Sequence, residues 1–190
     1  MFLKKALFVL VFAVATIGAS AQKISGDISQ LKNQKEVNLV LDLKGILVNN
    51  KAEEVYLASL TKGKKEEAKA QISKEWNEDL PNGAYSSLIN NINKEMSNTG
   101  VTVGDFPNAE YTIKVKVLNI NVGSFQMKNS GVKADIYFTK KDETIQFATL
   151  KNKNMLGRYS MYVPHYIARM IISFNYLGGS IGSTISKELK

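Results

Sequence analysis

The chain has 190 residues, a formal net charge of +8, no cysteine and one histidine. With no cysteine there is no disulfide framework, no thiol nucleophile and no thiolate metal site, and one histidine cannot furnish a zinc centre. The excess charge is nearly all lysine interleaved with Glu and Asp, as in Lys62 to Lys69. Only Arg158 and Arg169 offer the planar fork favoured by phosphates and guanine edges. A solvated basic surface is expected, and no nucleic-acid partner.

The N-terminus reads as an export signal. Lys4 and Lys5 precede ten apolar residues from Ala6 to Ala15, too short for a membrane span of about 20 residues. Ala19-Ser20-Ala21 supplies the small residues that signal peptidase needs, so cleavage is expected before Gln22. Residues 1–21 are then a signal peptide, and the mature chain has no transmembrane span and is periplasmic or secreted. No cysteine follows the apolar run, so no acyl anchor is expected. Residues 22–36 are polar without a sustained period and read as a leader arm. Residues 37–190 suit a single domain with a sizeable core.

Within that domain Val37, Leu39, Leu41, Leu43 and Leu47 share one parity, which predicts a strand with one buried face. Glu53 to Leu60 fits helix or strand. From Lys64 the pattern is helical, with Ala68, Ile72, Trp76 and Leu80 every four residues, and Pro81-Asn82-Gly83 is a turn signal. A second amphipathic helix carries Tyr85, Leu88, Ile89, Ile92 and Met96 and stops at Gly100.

The next stretch is β-rich. Val101 to Val103 predicts a short strand. Tyr111, Ile113, Val115 and Val117 alternate, then Leu118, Ile120 and Val122 take the opposite parity, the footprint of a β-bulge near Val117 and Leu118. Val132 to Phe138 and Thr144 to Leu150 predict a hairpin, with Asn152 to Arg158 as a loop after it. Pro164 suits the first turn of a long terminal helix striped by Ile167, Ile171, Phe174, Gly178, Ile181, Ile185 and Leu189. Gly178, Gly179 and Gly182 each cost roughly 1 kcal/mol of helix propensity, which predicts close approach of another backbone, taken here to be the sheet. The expected class is α+β: an antiparallel-rich mixed sheet of four or five strands with two or three helices on one face.

Tests for chemistry return little. A serine nucleophile would have to run through His165, and no nucleophile elbow is present. The acidic doublets Glu53-Glu54, Glu66-Glu67 and Asp142-Glu143 diverge in direction and make poor catalytic pairs. No EF-hand spacing occurs, and Leu177 to Lys187 lacks the Gly-Lys-Ser/Thr ending of a phosphate loop. No cofactor is called for, and the chain does not read as an enzyme. The densest local grouping is Arg158, Tyr159, Tyr162, His165, Tyr166 and Arg169, residue types that dominate binding hot spots and can grip an anionic or sugar ligand.

The segments NLVLDLKGI, EEVYLASLTKGKKEEAKAQISKEWNEDL, YSSLINNINKEMSNTGVTVGD, NAEYTIKVKVLNINVG and LGGSIGSTISKELK resemble a group of uncharacterised bacterial exported domains. Those are similar to the α/β modules of the curli-secretion lipoprotein and of the N-terminal domain of TolB. The likeness spans residues 37 to 189 and centres on a helix ending in a Thr-Gly turn, followed by Ala109 and Tyr111 opening a strand. It implies an envelope protein that docks on another protein or on itself, without catalysis. The expectation is a non-enzymatic exported envelope protein acting through protein–protein contacts. The alternative is a small-ligand or glycan binding module centred on Arg158 to Arg169.

Overall fold

A computed structural model describes residues 24–124, 129–141, 146–156 and 165–190. Residues 1–21, expected from the sequence to be a signal peptide, lie outside the described residues. In chain order the elements are β1 (Ser25–Gly26), a 3-10 turn (Ser29–Asn33), β2 (Glu36–Asp42), β3 (Leu47–Val48), β4 (Lys51–Ala52), α1 (Glu53–Thr61), α2 (Glu66–Lys74), a π-turn (Glu75–Asp79) and α3 (Leu80–Glu95). They continue with β5 (Thr102–Gly104), β6 (Tyr111–Asn121), β7 (Gly131–Lys140), β8 (Gln146–Leu156) and α4 (Tyr166–Glu188).

The apolar alternation builds one mixed sheet in the order β1-β8-β7-β6-β2-β5, with the β3–β4 hairpin attached to β6 beyond the end of β2. β2 runs parallel to both β5 and β6, while β6, β7 and β8 are antiparallel. This is the α+β arrangement expected from the order of elements. The expected bulge is present: Val117 faces Ala134 and Asn119 faces Lys133, leaving Leu118 as the extra residue. Asn49 and Asn50, with φ of 51° and 61°, form the two-residue turn between β3 and β4, as positive φ at both central positions requires.

The core lies between the sheet and the paired helices α3 and α4. Val37, Leu39, Ile113, Val115, Ile136 and Phe138 point from the strands toward Leu88, Ile92, Phe174, Leu177 and Ile181, all buried. The opposite sheet face is polar: Asp42 pairs with Lys114, Asp135 pairs with Lys151, and the Lys151 ammonium lies 3.9 Å from the Tyr137 ring centre.

Four local expectations change. The polar stretch before β2 is no free arm: Ser25 and Gly26 pair with Thr149 and Ala148, and Ile28 and Leu31 are buried in the core. Two apolar residues anchor it, too few to show a period. Pro81-Asn82-Gly83 does not turn the chain. The π-turn shifts the ladder so that Leu80 N–H bonds the Glu75 carbonyl, and Pro81, which lacks an N–H, enters the first turn of α3. The stretch expected to be a loop after Leu150 continues β8 through Leu156, with Met155 and Asn154 opposite Val132 and Lys133. Finally, the helix glycines meet a helix, not the sheet: a Cβ at Gly178 would lie 2.8 Å from the Leu88 carbonyl oxygen, and one at Gly182 would lie 2.7 Å from that of Ile92.

Candidate functional site

Of the six clustered residues, Arg158, Tyr159 and Tyr162 lie outside the described residues. His165 precedes α4, and Tyr166 and Arg169 occupy its first turn. The Tyr166 hydroxyl donates to Glu75 Oε2 at 2.8 Å, and His165 Nε2 lies 3.4 Å from Glu75 Oε1, which also accepts from Gln71 Nε2 at 2.9 Å. The rings of His165 and Tyr166 stack at 5.2 Å. Burial pushes the Glu75 carboxyl up, but hydrogen bonds from Gln71 and Tyr166 and the adjacent His165 outweigh it and hold the pKa below the usual 4.5. The same geometry raises the Tyr166 phenol, first through burial and then through the carboxylate it bonds. Arg169 Nε donates to the Val122 carbonyl at 3.4 Å, and its own carbonyl accepts from Ser130 Oγ at 2.6 Å. These three residues thus fasten the start of α4 to the π-turn at Glu75 and to the chain between β6 and β7 at Val122 and Ser130.

His165 therefore has a carboxylate beside it, but among the described residues no serine hydroxyl bonds to it. No group of three His, Asp or Glu side chains able to hold a metal ion occurs among the described residues.

The concave feature lies elsewhere. A groove of about 1030 Å³ runs along the outer edge of β2, lined by Leu41, Leu43, Trp76, Leu80, Tyr85 and Lys114 among others. Its origin is topological. β5 pairs only with Glu36 to Asn38, and β4 covers the edge again only at Leu47 and Val48. Between those points no described residue occupies the third-strand position, so among the described residues the edge carries a notch with a short strand at each end.

Backbone direction within the notch follows from parity. The Lys35 carbonyl accepts from Thr102 N–H at 2.8 Å, and the Leu39 carbonyl accepts from the Tyr85 hydroxyl at 3.2 Å. Odd-numbered residues of β2 thus direct their backbone groups to the outer edge. Leu41 presents its N–H and C=O there, with no strand partner on that side among the described residues. Unpaired edge groups of this kind are templates for another strand.

The wall is fixed from several elements. Trp76, in the π-turn, is buried and donates through Nε1 to Glu53 Oε1 at 2.5 Å, while its ring packs on Tyr56 at 5.6 Å. The Lys114 ammonium, 2.9 Å from Asp42 Oδ2, holds the Asp42 carboxyl below its ordinary value. At the β5 end, Asn93 of α3 clamps Val103 by accepting from its N–H and donating to its C=O, both at 2.7 Å. Asn38 Oδ1 receives Phe106 N–H at 3.1 Å, where the chain crosses from β5 to β6. The sequence carried only a faint signal of this site. Trp76 falls on a helical stripe and reads as core, and nothing in a one-face strand pattern reveals which edge is left uncovered.

No protein-family model matches the chain, and no curated protein sequence matches it. Among solved structures, the chain is similar to the PelC dodecamer from Paraburkholderia phytofirmans, at 10% identity and a TM-score of 0.43. That alignment covers 83% of this chain and 96% of the other. A structure of a point variant of that PelC dodecamer is similar at 10% identity and a TM-score of 0.42, covering 87% and 96%. Among the described residues no helix is long and apolar enough to cross a membrane. At this similarity the function has to be read from the groove itself.

Proposed function

We propose that this chain is an exported envelope protein that works by protein–protein contact, without catalysis, and that the notch in its sheet edge is the contact surface. The observation that carries the reading is the stretch of β2 that, among the described residues, has no outer neighbour between β5 and β4, beside a wall built from Trp76, Leu80 and Tyr85. Main-chain groups at such an edge supply affinity, and flanking side-chain slots supply specificity. The signal-peptide pattern of residues 1–21 and the resemblance to exported docking modules support the compartment.

The test is a photo-reactive benzophenone residue placed in cells at Ser86, an exposed groove residue, and in parallel at Gln146, exposed on β8. Processed chain in the envelope fraction and a discrete adduct from Ser86 alone are expected. Adducts equally abundant from both positions, or unprocessed chain in the cytoplasm, would remove the proposal.

A glycan or small-ligand module is the second reading. It is favoured by the presence of Trp76 and Tyr85 with Asn77 and Asn82 in a groove of ligand-binding size. It moves the binding surface away from the Arg158 to Arg169 stretch. A saturable change in Trp76 fluorescence with a free oligosaccharide would favour it over protein contact.

A further inference from the structure

We infer that the notch receives an extended segment of a partner protein in which apolar and acidic side chains alternate, a recognition mode that rests on the docking reading above. A strand laid along β2 would pair with the Leu41 N–H and C=O, and its side chains would fall alternately on the two faces of the sheet. The helix side of the groove carries Asn77, Asn82, Ser86 and the Glu53 carboxylate, which accepts from the Trp76 N–H, and also an apolar set of Leu41, Leu43, Trp76 and Leu80. Apolar residues of the incoming strand fit against that apolar set.

On the other side the charges are unequal. Asp42 is committed to Lys114. Lys44 lines the notch, is exposed and makes no ion pair among the described residues. Lys116 stands opposite Asp42 in the β2–β6 ladder and adds its charge to the same field. The surplus is cationic, so the outward-facing residues of the partner are acidic. The length is set as well. Among the described residues the edge has no outer strand from Leu39 to Ile46, and its regular part ends at Asp42, which at roughly 3.3 Å per residue suits a short strand and not a long one.

Trp76 is the only tryptophan in the chain, so its emission reports the notch directly. The experiment titrates the purified chain with three synthetic peptides: alternating Val and Glu, alternating Val and Lys, and the Val–Glu peptide N-methylated at alternate residues. The Val–Glu peptide is expected to shift Trp76 emission saturably and to bind about tenfold or more tightly than the Val–Lys peptide, a difference of about 1.4 kcal/mol. The N-methylated form is expected not to bind, because its donors are blocked. Lys44→Glu, a change at an exposed position, is expected to remove most of the preference for the acidic peptide.

Equal affinity for the two charged peptides overturns the assignment, as does full binding by the N-methylated form. A Trp76 shift that grows with chain concentration in the absence of peptide also overturns it, and assigns the notch to a second copy. Failure of all three peptides while Ser86 still cross-links a partner sinks this inference and leaves the docking reading intact. Failure of both experiments removes both.

Discussion

Gly178 and Gly182 sit about one turn apart on α4, and their missing side chains let the backbone of α3 approach at Leu88 and Ile92. Gly179, between them, has nothing within 4 Å of a built Cβ. Neighbouring glycines in one helix therefore respond oppositely to the same change. Gly178→Ala and Gly182→Ala should each destabilise the protein by about 1–3 kcal/mol, because the atoms they would strike are backbone and cannot swing away. Gly179→Ala should stabilise it by up to about 1 kcal/mol through helix propensity and a less free unfolded chain. Chemical denaturation of the three variants checks both signs. The sequence showed that something approaches this stripe closely. It could not show what, since a glycine cradle is the same whether a helix or a sheet fills it.

Glu75 makes the other residue-scale prediction. Its carboxyl pKa is lowered on folding, so the contribution it makes to stability is present above the unfolded value near 4.5 and is lost as the pH falls through the folded value. Between about pH 6 and about pH 3 the melting temperature of the unaltered chain should fall more steeply than that of Glu75→Gln. Parallel slopes for the two proteins would show that the group does not act this way. Tyr166→Phe, which removes a hydrogen bond to the same carboxylate, should cost about 1.5–3 kcal/mol at neutral pH by thermal or denaturant unfolding.

At the scale of elements, β5 is the fragile piece. It has only Thr102 to Gly104, pairs among the described residues with β2 alone, and is tied to α3 by both hydrogen bonds of Asn93. Asn93→Ala would leave a buried Val103 with an unmet donor and acceptor, at a cost of about 1–3 kcal/mol. Amide exchange at Val103 should accelerate far more than at Ile113 in the centre of β6. The elements themselves were legible where alternation or helical period was sustained, as in β6, β7, α3 and α4. They were misread where a local signal competed with packing. Pro81-Asn82-Gly83 has turn chemistry, yet a π-turn accommodates the proline. Gly83 is in turn explained by Ile171 of α4, whose Cδ1 would lie 2.4 Å from a Cβ there. Lys151 to Asn154 has strand geometry without strand composition, because β7 supplies the partner.

At the scale of the whole molecule, the α+β class follows from the order of elements, but the site does not. The Arg158 to Arg169 stretch has the composition of a binding surface. The described part of it, His165, Tyr166 and Arg169, serves to pin α4 against Glu75, Val122 and Ser130. The notch arises from something no single segment encodes: β5 and β4 each cover only an end of the same edge, and the helices leave Trp76 and Tyr85 beside the gap. Its lining comes from residues 40 to 114, so it exists only once the sheet is assembled.

The most direct test is the exchange rate of the Leu41 amide, read by NMR in the chain alone and with the alternating Val–Glu peptide bound. Alone, the Leu41 amide should exchange much faster than those of Val40 and Asp42, whose backbone groups face β6, and the peptide should slow it strongly. A Leu41 amide already protected in the free chain, or one that the bound peptide leaves unprotected, would contradict strand addition at the notch.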